Sequence, residues 1–179
     1  MQRYCTIPTP LGEMIALEEQ NALCGLWFTD ENHAPALAGQ WAHYPDLPLF
    51  VALREQLDAY FNGALREFDL PLAPQGTPFR MAVWELLRAI PAGSTTTYGA
   101  LARQLAAHRE GRQPAAQAVG GAVGHNPLTI IIPCHRVIGA DGSLTGYAGG
   151  LERKAALLTL EKNVGNSERR QVSGRSRKD

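Results

Sequence analysis

Residues 115–139 read AAQAVGGAVGHNPLTIIIPCHRVIG, and the fold turns on how this stretch divides. Ala115 to Gly124 form a helical pattern almost without bulk, ended by Asn126-Pro127. An interior glycine costs about 1 kcal/mol against alanine in a helix, so Gly120 and Gly121 stand there against propensity. A helix this slim has two uses. It can pack closely on another helix, or it can enter a space as narrow as the DNA minor groove, about 6 Å wide, which ordinary helix side chains overfill. Leu128–Ile132 reads as a buried strand that Pro133 stops. Cys134, His135 and Arg136 follow at once, setting a thiol, an imidazole and a guanidinium on the lip of the core.

On the N-terminal side, TTTYGALARQLAAH (95–108) predicts a helix capped by one of its threonines. With the turn REGRQP it makes a helix-turn-helix pattern of the kind that docks on DNA, although helical hairpins are common. Before it, TPFRMAVWELLRAIPAG opens with Thr77 as cap and Pro78 at the first helical position, and Val83, Leu86, Leu87 and Ile90 form its inner face. LFVALREQLDAYFNG places Leu49, Leu53, Leu57 and Phe61 four apart on a helix ended by Gly63. Residues 1–30 read as short strands with a hairpin at Thr9–Gly12, and 31–46 as loop with a short helix. On the C-terminal side, GADGSLTGYAGG suggests a Gly-rich hairpin, and a last helix runs from about Leu151 to Lys162. The tail from residue 164 has almost no apolar content and is expected to be disordered.

The 179 residues suit one or two domains, and 45% hydrophobic residues allow a sizeable core. No apolar run reaches the ~20 residues of a membrane span, and the N-terminus lacks a signal-peptide layout; a cytoplasmic protein is expected. Three scattered cysteines do not make a disulfide framework. Cys5, Cys24, His33 and His43 match no compact zinc pattern, so no metal is expected. The net charge is zero, but residues 1–75 hold three arginines against ten acids, whereas 162–179 hold six Lys/Arg against two acids. A polyanion partner would meet the second part.

Four blocks, GTPFRMAVWELLRAIPAGSTTTYGALA, AAQAVGGAVGHNP, IPCHRVIG and GYAGGLERKAALLTLE, stand in the order and spacing of the O6-alkylguanine-DNA alkyltransferases. The chain resembles this family loosely over the first part and strongly from Gly76 to about residue 163. The resemblance implies a ribonuclease-H-like α/β domain with an antiparallel sheet (1–75). A mainly α domain with a winged-helix-like helix-turn-helix (76–163) would follow, then the disordered basic tail (164–179). It implies DNA repair by irreversible, single-turnover transfer of the alkyl group from O6-alkylguanine, and from O4-alkylthymine, to Cys134, with no cofactor. The target lies inside the duplex, so the nucleotide must flip into the pocket. The partner implied is double-stranded DNA bound through its minor groove, by a monomer.

The resemblance also implies roles. Cys134 is the nucleophile, His135 and Glu161 complete a Cys–water–His–Glu relay, and Asn126 hydrogen-bonds near the thiol. Glu161 would sit in the last turn of the final helix, where the macrodipole disfavours an anion, which suits a carboxylate held by a specific partner. Tyr98 helps rotate the base. Ala115, Gly120 and Gly121 belong to the DNA-facing helix, and Val137, Tyr147 and Ala148 frame the pocket. Arg136 reads as structural, tying its loop to the first domain. Gln117 departs from the family, which usually has arginine there. Glutamine brings no charge to the phosphates and stacks less well, so weaker DNA binding or slower flipping is expected, with Arg109 or Arg112 compensating in part. Two other classes compete. A non-reacting alkylated-base sensor or helix-turn-helix binder is at odds with the presence of Cys134. A cysteine hydrolase leaves the glycine-rich helix unexplained.

Overall fold

The computed structural model describes residues 1–36, 39–109 and 111–175. Three strands, β1 (Arg3–Thr9), β2 (Gly12–Glu19) and β3 (Ala22–Phe28), form an antiparallel meander. Thr9 pairs with Gly12 across Pro10-Leu11, where the hairpin was expected. The second turn is Gln20-Asn21, both at positive φ (53° and 64°), the geometry that matches the twist of the flanking strands. A two-residue strand, β4 (Ala42–His43), adds parallel to β1 and gives the order β3-β2-β1-β4. Helix α1 (Pro48–Phe61) lies against β1 and buries Phe50, Leu53, Leu57 and Tyr60. Gly63, at φ 76°, ends it in the left-handed conformation that costs glycine nothing.

The second part is helical: α2 (Pro78–Arg88), α3 (Tyr98–Arg109) and α4 (Ala116–Gly124). The side chain of Thr77 accepts from the Arg80 N–H at 3.2 Å, and Thr97 caps α3 by accepting from Ala100 N–H at 3.1 Å. Helix α4 turns Val119, Ala122 and Val123 inward, and Trp84 Nε1 of α2 donates to the Ala122 carbonyl at 2.9 Å. A short parallel pair, β5 (Thr96–Thr97) with β6 (Val137–Ile138), ties the start of α3 to the segment after Cys134. Helix α5 (Leu151–Arg175) closes the described chain. The two parts share one apolar core, joined where Leu26 N–H donates to Pro127 O (2.8 Å) and Thr129 N–H to Leu26 O (2.9 Å).

Four expectations are corrected. Leu128–Ile132 is a buried turn and not a strand: only Leu128 bridges to β3, and Ile130 sits at φ 75°. The reason is Asn126, whose side chain binds Leu128 N–H and the Ile132 carbonyl and so takes over the hydrogen bonds of a ladder. Residues 31–46 contain β4 and turns but no helix among the described residues. The Gly-rich segment closes a turn through Gly139 N–H to Ser143 O at 2.9 Å without strand pairing. The last helix does not stop at Lys162 but runs to Arg175, since extending a helix that is already nucleated needs no new nucleus. Arg66 also reaches Glu168 at 3.2 Å. Residues 176–179 of the expected disordered tail lie outside the described residues, as do the side chains from 170 onward.

Candidate active site

Pro133 ends the Asn126-stabilised turn, and the next three residues, Cys134–Arg136, make one turn of 3₁₀ helix. This aims consecutive side chains in different directions. Cys134 is buried, at 6% exposure, and Asn126 Nδ2 donates to its Sγ at 3.1 Å. Burial pushes the thiol up to about 12, while the Asn126 amide and the positive Lys154 pull the other way. At neutral pH it is therefore a thiol that needs a base to ionise.

His135 is fully buried and points to α5, where its Nε2 lies 2.7 Å from Glu161 Oε1. Glu161 also accepts from Tyr60 O–H at 2.8 Å, from Arg136 Nε at 2.9 Å and from Arg136 Nη2 at 2.8 Å. Burial alone would raise this carboxyl, but the hydrogen bonds from His135 and Arg136 hold it well below the usual range. An ionised carboxylate only accepts, so His135 Nε2 carries the hydrogen. Burial also lowers the pKa of His135 and keeps the ring neutral. Nδ1 then holds a lone pair, and among the described residues it meets no hydrogen-bond partner. The ring is a base with its free face already chosen.

Two expectations change here. Because α5 continues to Arg175, Glu161 lies well inside the helix, where its four side-chain contacts and not the macrodipole set its state. Among the described residues the hydrogen bonds of Arg136 go to Glu161 and to the Ile90 carbonyl just past α2, and not to the first domain. The link to the first domain is Tyr60, through the same carboxylate.

Above Cys134 opens a cavity of about 340 Å³, lined among others by Asn32, His33, Tyr98, Gly120, Tyr147 and Ala148. Tyr98 O–H donates to the Thr145 carbonyl at 3.2 Å, and Lys154, with no exposed surface, donates to Thr145 O (2.9 Å) and Gly146 O (3.2 Å). Together they set the loop over the thiol. The Tyr147 hydroxyl is buried and has no hydrogen-bond partner among the described residues. Val137, by contrast, is buried beside β5 and is not among the cavity's lining residues. Ala115, the residue that caps α4, and Gln117 and Gly121 on the helix lie exposed. A Cβ added at Gly121 or Gly124 would meet nothing within 4 Å, and one at Gly120 would touch Tyr98 at 3.8 Å. The bare face of α4 therefore does not serve tight packing inside the chain; it faces outward. Arg112 is exposed, and the side chain of Arg109 lies outside the described residues. Among the described residues no three His, Cys, Asp or Glu stand close enough to hold a metal, and no helix is long and apolar enough to cross a membrane.

Sequence reasoning missed Tyr60, Asn32, Glu31, Thr129 and Lys154. Tyr60 and Glu161 are 101 residues apart, and Glu31 and Thr129 are 98 apart, so no local pattern could pair them.

Two family models match the chain: the 6-O-methylguanine DNA methyltransferase ribonuclease-like domain over residues 2–74 and the DNA-binding domain of the same family over 78–163. The methylated-DNA–protein-cysteine methyltransferase of Mycolicibacterium paratuberculosis is 44% identical over 162 residues, 90% of this chain and 93% of the relative. The Haemophilus influenzae protein of that name is 42% identical, over 89% of this chain and 86% of its own. The crystal structure of Mycobacterium tuberculosis O6-methylguanine methyltransferase superposes with a TM-score of 0.80 at 45% identity, covering 91% and 94% of the two chains. That of Mycobacterium tuberculosis OGT in complex with DNA superposes at 0.81 with 44% identity, covering 90% and 94%.

Proposed function

This chain belongs to the 6-O-methylguanine DNA methyltransferase family, and from that premise we propose that it repairs DNA by moving the alkyl group of O6-alkylguanine onto its own Cys134. The observation that carries the reading is the thiol lining the cavity with the Asn126 amide on its sulfur, next in sequence to a buried histidine that is paired with Glu161. The thiol proton passes toward His135 Nδ1, directly or through water. Cys134 Sγ then attacks the alkyl carbon, the carbon–O6 bond breaks with its electrons on guanine, and guanine takes up a proton as it leaves. The Asn126 N–H stabilises negative charge on sulfur. Glu161, held anionic by Tyr60 and Arg136, fixes the ring and stabilises the imidazolium that forms. The thioether is stable, so each chain acts once.

DNA is the partner. The bare outward face of α4 supports entry into the minor groove, with Ala115, Gly120 and Gly121 giving close approach and Gln117 set to fill the gap left by a flipped nucleotide. Tyr98, at the cavity edge, guides the base inward, and Tyr147 and Ala148 bound the space for the alkyl group. O4-alkylthymine fits the same chemistry. Every group invoked comes from one chain, which supports a monomer. Residues 1–75 act as a structural domain whose Tyr60 completes the Glu161 cluster, and 76–163 as the DNA-binding and transfer domain. No observation favours a non-reacting sensor. The test is a duplex with one O6-methylguanine inside a restriction site. Wild-type protein is expected to restore cleavage of one duplex per chain, and Cys134→Ala of none. Restoration by the alanine variant, or many duplexes per chain, would overturn the reading.

A further inference from the structure

Residues 31–33 belong to the first domain, yet they meet the site at three successive points. Glu31, 7% exposed, accepts from Thr129 Oγ1 at 2.8 and 3.0 Å through its two oxygens, and from Phe28 N–H at 3.0 Å. Asn32 N–H donates to the Ala148 carbonyl at 3.1 Å. His33 stacks on His125, ring centroids 4.4 Å apart, one residue before Asn126. The alkyl-transfer chemistry uses none of these three residues.

Thr129 is fully buried in the turn that Asn126 organises. That turn holds Ile130 at φ 75°, a conformation that a β-branched side chain adopts only when its surroundings force it. Two groups of β3 and its following loop do the forcing. Leu26 binds the backbone on both sides, to Pro127 O and from Thr129 N–H, and Glu31 fixes the Thr129 side chain. The other side of the turn is Asn126, whose amide binds Ile132 O at 2.7 Å and Cys134 Sγ at 3.1 Å. The Glu31–Thr129 contact and the Asn126–Cys134 contact are two ends of one rigid loop.

We propose that Glu31 is a positioning residue for the transfer: through Thr129 it holds the Asn126 turn in the geometry that aims the amide at Cys134 Sγ. The chain of contacts runs from a first-domain carboxylate to the reacting sulfur without touching substrate. Burial places the Glu31 carboxyl at about 7, so the bridge operates in either protonation state, since both keep an acceptor oxygen for Thr129. The inference rests on Cys134 being the alkyl acceptor.

The test is single-turnover transfer from an O6-methylguanine duplex at saturating protein, with DNA affinity measured separately. Glu31→Ala and Thr129→Val each lower the first-order transfer rate roughly 10-fold or more, the scale of a small misplacement near reacting atoms, with the DNA Kd changed less than about twofold. Glu31→Gln, which still accepts from Phe28 and can donate to Thr129, recovers most of the rate. The double variant Glu31→Ala/Thr129→Val is no slower than the slower single, because both break one bridge. Thr129→Val carries the test alone where Glu31→Ala does not fold. Wild-type rates in both single variants, or multiplying losses in the double, overturn the proposal. A wild-type chain that never methylates Cys134 overturns the alkyl-transfer reading instead.

Discussion

Glu161 and Glu31 are both buried carboxylates, and their surroundings push them in opposite directions. Glu161 is held anionic by three side chains that donate to it. Its stabilisation is full above the ordinary glutamate range and fades as pH falls below it. Glu161→Ala strands the buried Arg136 and His135, and unfolding by denaturant at pH 7 should show a loss of about 3–5 kcal/mol. A loss under about 1 kcal/mol would contradict the buried cluster. Glu31 is raised from 4.5 to about 7 by burial, against hydrogen bonds from Thr129 and Phe28. Between those values the folded chain keeps a proton that the unfolded chain has released, so wild-type stability falls as pH rises through this window. Against Glu31→Gln the fall should be a few kcal/mol, and parallel profiles would refute it. Cys134 stood out because it follows an apolar run at once, whereas the roles of His135 and Asn126 came through the resemblance. Glu161 was legible only through resemblance, and Glu31, Tyr60 and Thr129 not at all, since their partners lie about a hundred residues away.

At the scale of elements, the caps at Thr77 and Thr97, the hairpin at Thr9–Gly12 and the α1 stripe could be read because each depends on neighbours in sequence. The IleIleIle run could not. An apolar run is equally a strand or a buried turn, and the choice falls to the side chain of Asn126. The charged end of the chain looked unstructured because composition cannot report that a stable helix precedes it. Helix α4 yields a direct prediction. Gly121 faces open space, so Gly121→Ala should stabilise the fold by about 1 kcal/mol. Gly121→Leu should fold equally well yet weaken DNA binding roughly tenfold or more. Unchanged affinity in the leucine variant would remove α4 from the interface. Gln117→Arg should speed repair of methylated duplex and steepen the salt dependence of binding by about one charge. No gain in either would leave Gln117 without consequence.

Over the whole molecule, the two parts are joined by buried interactions and not by a linker alone: Leu26 with Pro127 and Thr129, Glu31 with Thr129, and Tyr60 with Glu161; an exposed ion pair, Asp30 with Arg153 at 2.7 Å, adds to them at the surface. Scanning calorimetry should therefore give one cooperative transition, with calorimetric and van't Hoff enthalpies equal. Two separated transitions would mean that the interface is weak. The division into an α/β part and a helical part was legible from the strand patterns of residues 1–30 and the helical patterns that dominate the second part. The extent of their fusion was not, because it is made by single residues far apart in the chain. The same fusion brings Asn32 and His33 to the wall of the cavity that Cys134 lines and Tyr60 to Glu161, and the account stands or falls on that thiol. The most direct measurement is peptide mass spectrometry of the protein after incubation with excess duplex carrying O6-methylguanine. The account predicts one methyl group per chain, on the Cys134 peptide, irreversible and absent from Cys134→Ala. An unmodified Cys134 in protein that binds the duplex, or a methyl group on another residue, would contradict it.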